Sequence, residues 1–415
     1  MPAPAACPAR LLDLTRLVSR LGQGQPTGVD RVESAYLAHF PTLPHPVFGL
    51  VRSKLGFLLL NHQAMSAFQR LVTAQTPLPP ADLLSRLSRM RQPLLARAET
   101  AVRRLALVRC RPQTLSQTLR QILPDGFTYF NTGHANLNPK TLTAIKSGGA
   151  THMRFLVHDT IPLDHPEFTR PDTIASFDKK MAAIAAHADT VIHTAQTTRA
   201  ATERHFARHG RIPPGLVAPL GITALKPSAV PPRPHPYFVT LGTIEPRKNH
   251  AFLLDIWEAM HRTLPLQNIP HLLILGRRGW SNEPVFDRLN TLPFRNQTLF
   301  ELPNLPDDTV ANLLAHARGL LFPSHVEGYG LPPLEAASLG TAVIVPPLAI
   351  YHETLGNYPV YATLNDSYSW METIIRLADD QKEQGQAGQV QKSASENMVK
   401  IPQWDTHFKI ALSFG

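Results

Sequence analysis

Cysteine is nearly missing from this 415-residue chain: Cys7 and Cys110 are the only two. Two such residues build no disulfide framework and no C-x-x-C metal pair, and the scarcity is as expected of a protein kept in a reducing cytoplasm. Long apolar runs are missing too. Nowhere do ~18 apolar residues follow one another, so no membrane-spanning helix is expected. Asp13, Arg16 and Arg20 interrupt the apolar run over 11–21, and with no basic stretch ahead of it no secretion signal is expected. Charged residues make up only 17% of the chain against 43% apolar ones, which excludes a disordered or supercharged protein. There is no zinc-finger spacing, no aromatic-basic interleaving and no helix-turn-helix signature, so no nucleic acid is expected as a partner.

What is present in excess is proline, 39 residues, nearly twice the usual ~5%. The prolines are scattered rather than repeated, which implies many sharp loops. Positive charge is concentrated as well. The segment 81–123 holds nine arginines against Asp82 and Glu99, so seven of the ten net positive charges lie there. Leu83, Leu84, Leu87, Met90, Leu94, Leu95, Ala98, Val102 and Leu105 recur in it at helical spacing. The pattern predicts basic amphipathic helices interrupted near Pro93 and Pro112, able to lie on an anionic membrane surface or to pack on their own domain.

The length suits two domains of ~100–200 residues each. In the second half, apolar strand patterns at 237–241, 271–275, 298–302, 320–323, 341–345 and 359–363 alternate with helical patterns at 250–262, 283–289, 308–317, 333–339 and 368–379. That alternation predicts a parallel, doubly wound, Rossmann-like sheet. The first half repeats the signal more weakly, with strands at 11–14, 47–51, 127–130, 153–157 and 190–193 and helices at 31–38 and 174–188. Pro227, Pro231, Pro232 and Pro234 mark 226–236 as a linker. The expected domains are therefore 1–225, carrying the basic insert 81–123, and 237–395, with 396–415 as a terminal helix free to return to the first domain. In α/β sheets ligands bind beyond the carboxyl ends of the strands, so the residues there are the ones to inspect.

Two clusters stand out in the second half. Gly242-Thr243-Ile244-Glu245-Pro246-Arg247-Lys248-Asn249 follows its first strand, and a glycine turn that delivers adjacent cations suits a diphosphate. Ser324-His325-Val326-Glu327-Gly328-Tyr329-Gly330-Leu331-Pro332-Pro333-Leu334-Glu335 follows the strand at 320–323. Its prolines place Glu327 in a loop and Glu335 on the first turn of a helix, while Gly328 and Gly330 let backbone N–H groups approach an anion.

Together, E-P-R-K-N after a strand and E-G-Y-G-L-P-P-L-E about eighty residues later resemble the retaining glycosyltransferases of family 4. The resemblance implies the GT-B fold, two Rossmann-like α/β domains facing across a crevice. It implies that Glu327 contacts the donor hexose, that Glu335 holds the nucleotide ribose, and that Arg247 and Lys248, with Gly242, Gly328, Tyr329 and Gly330, take the donor diphosphate. Many members carry an arginine where this chain has Thr243, which leaves more of the phosphate charge to Arg247.

On the acceptor side, Pro26-Thr27-Gly28-Val29-Asp30-Arg31-Val32-Glu33 resembles the family's N-terminal glycine loop, and Val157-His158-Asp159-Thr160-Ile161-Pro162-Leu163 resembles its H-D-x-x-P-L segment. Gly28 would then permit close backbone approach, His158 would orient the hexose or the acceptor hydroxyl, and Asp159 would orient His158 or bind acceptor. His134, in Asn131-Thr132-Gly133-His134, follows another strand and is a further acceptor-side candidate.

The resemblance therefore implies transfer of a hexose from a nucleotide-diphosphate sugar to a hydroxyl with retention. Mannose from GDP-mannose is the expected donor, and a lipid-linked oligosaccharide or other saccharide the expected acceptor. No cofactor and no metal ion are expected, since the cationic pair takes the place of a divalent ion. A UDP-sugar transferase, a nucleotide-sugar 2-epimerase and an inactive scaffold of polysaccharide assembly are the alternatives.

Overall fold

The computed structural model describes residues 8–24, 26–223, 225–227, 233–379 and 399–413. Cys7, part of the expected linker (228–232) and 380–398, which contains the expected boundary at 395, lie outside the described residues. The chain divides into two compact units: Met1–Leu163, Arg170–Pro219 and Phe408–Gly415 form the first, and Asp164–Thr169 and Leu220–His407 form the second.

Among the described residues, the first unit is built on an eight-stranded sheet in the order β4-β3-β2-β1-β5-β6-β7-β8. Its strands are β1 (Ala9–Asp13), β2 (Val47–Ser53), β3 (Gly56–Leu60), β4 (Val108–Cys110), β5 (Phe127–Asn131), β6 (Ala150–Val157), β7 (Thr190–His193) and β8 (Gly215–Val217). From β2 to β8 the neighbours are parallel, whereas β3 pairs antiparallel with both β2 and β4. The interior strands are apolar on both faces, as helices covering both sides of a parallel sheet require. Leu11, Phe127, Tyr129, Met153, Phe155 and Val191 share one core.

The second unit has a six-stranded, wholly parallel sheet in the order β11-β10-β9-β12-β13-β14. These strands are β9 (Tyr237–Leu241), β10 (His271–Leu275), β11 (Leu299–Glu301), β12 (Gly319–Leu321), β13 (Val343–Val345) and β14 (Val360–Tyr361). Renumbered within the unit, the order is 3-2-1-4-5-6, that of the dinucleotide-binding sheet. Its direction of winding reverses between β9 and β12, and in the first unit the reversal falls between β1 and β5. At such a point the loops leaving two adjacent strands splay apart and open a crevice.

Two differences from the sequence expectations, and the return of the terminal helix to the first unit that the sequence allowed, have physical causes. Residues 164–169, expected within the first domain, cluster with the second unit, because the Phe168 ring stacks on His325 at 5.1 Å and 8°. The terminal helix is Trp404–Ala411, and from Phe408 onward the chain belongs to the first unit. There Phe408 meets Tyr36 edge-on at 5.1 Å and His39 face-on at 3.8 Å, and Arg154 donates to the carbonyls of Ala411 and Ser413 at 2.8 and 2.6 Å.

The basic insert is the second difference, being only partly helical. Pro93 opens the helix Pro93–Leu105, and Pro112 opens a short 3-10 turn rather than interrupting a helix. Between them β4 extends the sheet through Phe57↔Cys110. Not all of the segment's charge is free: Arg103 pairs with Asp82, and Arg89 pairs with the buried Glu99 at 2.7 Å. Nor does its apolar face all turn inward. Ala98 and Val102 are buried, but Leu83, Leu84, Leu87 and Met90 are 72, 57, 61 and 79% exposed.

Candidate functional site

Both clusters singled out in the second half lie at the reversal between β9 and β12, which is why residues 79 positions apart meet there. Lys248 donates to Glu327 Oε1 at 2.6 Å, and Arg247 Nη1 reaches the same oxygen at 2.7 Å. Arg247 Nε also contacts Glu245 at 2.7 Å. The two loops are stitched through their backbones as well, since His325 N–H donates to the Arg247 carbonyl at 2.8 Å. Asn249 ends the Pro246–Lys248 turn with φ 53° and leads into the helix His250–Thr263. Asparagine tolerates this left-handed conformation, which accounts for the last letter of E-P-R-K-N.

The charges are strongly biased by their surroundings. Burial alone pushes the Glu327 carboxyl up, but Arg247 and Lys248 outweigh it and hold its pKa at about 2. Lys248 is 8% exposed and packs over the Phe322 ring at 4.1 Å. Burial pulls its ammonium down, and Glu327 offsets this only in part, leaving a pKa of about 8. Buried His250 lies near this lysine, and burial followed by the Lys248 charge drives its pKa to about 3. It is neutral at any ordinary pH. In the free protein, then, two cations lie on a carboxylate that stays ionised, and only with Glu245 beside Arg247 are the two positive charges balanced by two carboxylates.

The helix after Glu327 is Leu331–Ser338, with Gly330 as its N-cap. Gly330 is required there: its φ is 84°, and a Cβ would fall 2.7 Å from the Tyr351 ring. Glu335 is the fifth residue of this helix and not on its first turn as expected, because the helix begins at Leu331 ahead of both prolines; its side chain is buried. The Tyr329 ring is also buried, with its hydroxyl donating to the Leu220 carbonyl at 3.1 Å. What position 329 offers a ligand is therefore main chain, as at Gly328 beside it. Gly242 leaves β9 with its N–H donating to the Leu275 carbonyl at 3.0 Å.

In the first unit the loops after β1, β5 and β6 surround a cavity of about 470 Å³ lined by Thr15, Arg16, Gly133, His134, His158, Asp159 and Lys180, among others. Asp13, at the end of β1, ties the loops together. It accepts from the Tyr129 hydroxyl at 2.8 Å, the Asn136 amide at 2.8 Å and the Thr15 N–H at 3.0 Å. His158 Nε2 donates to the Thr132 carbonyl at 2.7 Å, and the His134 ring lies 5.4 Å away, bonded to the Leu156 carbonyl at 2.9 Å. Burial drives the His134 pKa to about 4, so His134 is a neutral wall of the cavity. Asp159 accepts the Ile161 N–H at 3.1 Å and so shapes the start of the next helix.

Gly28 is placed differently from the expected close-approach glycine. It is the first residue of the helix Gly28–His39, whose capping box comes from Thr27 and Asp30. The glycine that permits close approach is Gly133, where a Cβ would fall 2.0 Å from Glu33 Oε1. Arg16 clamps this helix, reaching Asp30 and Glu33 at 2.6 Å each. Even so, burial raises the Glu33 pKa to about 7. Arg16 and Lys180 were missed in the sequence, and Glu33 was read only as the end of the glycine-loop segment. Arg16 was findable as the cation just beyond β1 at the reversal, with Asp30 and Glu33 one helical turn apart; nothing local marks Lys180.

Residues 222–393 match the family described as "Glycosyl transferases group 1". Over 247 residues the chain is 31% identical to the serotype-specific mannosyltransferase WbdA of Escherichia coli, a match covering 55% of this chain and 30% of that protein. A second relative, the Escherichia coli O-antigen chain mannosyltransferase B, is 33% identical over 146 residues, 35% of this chain and 37% of that one. The chain thus spans well under half the length of these curated relatives. Among solved structures, Anabaena HepE in complex with UDP and glucose superposes with a TM-score of 0.61 at 13% identity, covering 98% of this chain and 99% of that one. Apo OtsA superposes at 0.54 and 11% identity, covering 97% and 96%. The chain therefore has the GT-B fold expected from its sequence, and its residues 222–393 are similar to the glycosyl transferases group 1 family.

Proposed function

We propose that the protein is a retaining glycosyltransferase that moves mannose from GDP-mannose to a hydroxyl of a lipid-linked saccharide in surface polysaccharide synthesis, on the cytoplasmic face of a membrane. The Arg247–Glu327–Lys248 cluster at the reversal of a group 1 domain carries this reading. The names of the relatives favour mannose and an O-antigen-like product.

In this reading, Arg247 and Lys248 exchange Glu327 for the donor diphosphate and neutralise the charge of the leaving group as the glycosidic bond breaks. They play the part of a divalent ion, and the reaction runs without one. Glu327, ionised throughout, then supports the positive charge that develops on the sugar ring. Glu335 holds the ribose, and His158 orients the hexose or the incoming hydroxyl. Nucleotide release from GDP-mannose, measured with and without saccharide acceptor beside UDP-sugar controls, tests the assignment. GDP at a hundredfold excess over Kd should stabilise the fold by about 2.7 kcal/mol. A melting temperature indifferent to both GDP and UDP, with no nucleotide release from either donor, overturns it.

The outward leucines give the acceptor reading a place on a membrane. Leu83, Leu84, Leu87 and Met90 stand exposed, interleaved in the chain with exposed Arg86 and followed by exposed Arg91, and neither arginine forms an ion pair among the described residues. Apolar side chains enter the headgroup boundary while the arginines meet anionic lipid. Vesicles containing anionic lipid should float the protein at low salt, and the pair Leu84→Glu, Leu87→Glu should weaken that binding at least tenfold. Equal flotation of wild type and variant removes the membrane from the reading.

A further inference from the structure

A second cavity of about 520 Å³ lies in the first unit alone, beside the one that holds His158 and Asp159, and the two share His134, Ala135 and Lys180 as a common wall. Its character is different. Arg52, Lys140 and Lys180 line it, and no aspartate or glutamate does. Arg52 lies over the Phe57 ring at 5.3 Å and touches only the Thr141 hydroxyl, at 3.4 Å. Lys140 is the second residue of the nine-residue helix Pro139–Ser147, whose N-terminal dipole adds to the same field. Lys180, half-buried and near Arg16, has no hydrogen-bond or ion-pair partner among the described residues. The arginines packed against carboxylates in this unit lie away from this cavity: Arg16 and Arg20 have Asp30, Arg89 has Glu99, and Arg103 has Asp82. Arg52 and Lys140 are exposed and Lys180 is half-buried, so three like charges gathered on one hollow with no carboxylate among them give it a positive field that draws an anion.

We propose that this cavity is a subsite for a phosphate or diphosphate group of the acceptor, held by Arg52, Lys140 and Lys180, so that an acceptor whose hydroxyl reaches His158 and Asp159 is anchored next door by its charge. The inference rests on the acceptor role given above to the first unit and adds the chemical class of that acceptor. Multiple positive charge without a carboxylate favours a polyanionic group over a single carboxylate. The volume leaves room for a diphosphate and the first atoms attached to it.

The test is direct binding, so it does not depend on turnover. In a chain carrying Arg247→Ala and Lys248→Met, which disables the other anion site, inorganic pyrophosphate is titrated calorimetrically. Binding should persist there, weaken at least tenfold on adding Arg52→Gln with Lys140→Gln, and weaken similarly with Lys180→Met, while the melting temperature stays unchanged. Mannose 1-phosphate and dodecyl diphosphate, titrated in parallel, separate the sources: tighter binding of the alkyl diphosphate assigns the subsite to a lipid carrier, and equal or tighter binding of the sugar phosphate assigns it to a soluble acceptor. Pyrophosphate binding that vanishes with Arg247 and Lys248, or that is indifferent to Arg52, Lys140 and Lys180, overturns the proposal. The donor assignment is unaffected either way, because it is read from nucleotide binding to the unmodified protein.

Discussion

Glu327→Gln lowers turnover about 10²–10³-fold while tightening the binding of GDP. The two effects share one origin. In the free protein Glu327 Oε1 pairs with both Lys248 and Arg247, at 2.6 and 2.7 Å, so an incoming diphosphate must first displace a carboxylate. A neutral amide competes less well for the cations, and the diphosphate binds more tightly. The amide cannot, however, supply the fixed negative charge that an electron-poor sugar ring needs in the transition state. Stability should fall as well, toward the low end of the ~3–5 kcal/mol typical of breaking a buried pair, since Arg247 keeps Glu245 and is 23% exposed. Calorimetry with GDP beside initial rates with GDP-mannose reads both limbs. A variant with a tenth or more of wild-type turnover sinks the role of Glu327, and GDP binding weakened in step with turnover sinks the exchange of partners.

Lys248→Met has the complementary signature. It removes a charge aimed at the diphosphate, so kcat/KM for the donor should fall about 10²–10³-fold and GDP binding should weaken with it. The wild-type pH profile follows from the same residue. With its pKa lowered to about 8 in the free protein, Lys248 is charged below that pH and loses its proton above it. Donor kcat/KM should therefore be level below about pH 8 and fall toward tenfold per unit above it. The limb should appear in kcat/KM at lower pH than in kcat, because bound diphosphate holds the proton on Lys248. Lys248→Arg, which stays charged at any such pH, should push the limb upward. A wild-type donor kcat/KM still flat at pH 9 refutes the assignment.

The second unit was legible in the sequence because its strands are short, apolar and separated by well-marked helices, and because both motifs sit directly after strands. Helix starts were less legible. Leu331 precedes Pro332 and Pro333, so the helix begins a residue earlier than its prolines suggest, and Glu335 moves up a turn. In the first unit β3, β4 and β8 were not seen. Gly56–Leu60 has no alternation because every residue is buried, and Val108–Cys110 is recognisable as a strand only through its partner. The outward direction of Leu83, Leu84 and Leu87 was hidden for a related reason. Helical spacing says that residues share a face; only the anchoring of Ser85 and Asp82 by Arg103 says which way that face points. Lys180 is a tertiary residue throughout, meaningful only because the loops after β1 and β5 close beside it.

The winding order of the second sheet also governs when the site can exist at all. Arg247 and Lys248 leave β9, but their carboxylate is 79 residues further on, and β12 joins β9 only after β10 and β11 have been laid down on its other side. Closing a loop of that length costs entropy before any contact repays it. A chain emerging from the ribosome therefore has Glu245 beside Arg247 but no carboxylate for Lys248 until β12 docks and brings Glu327.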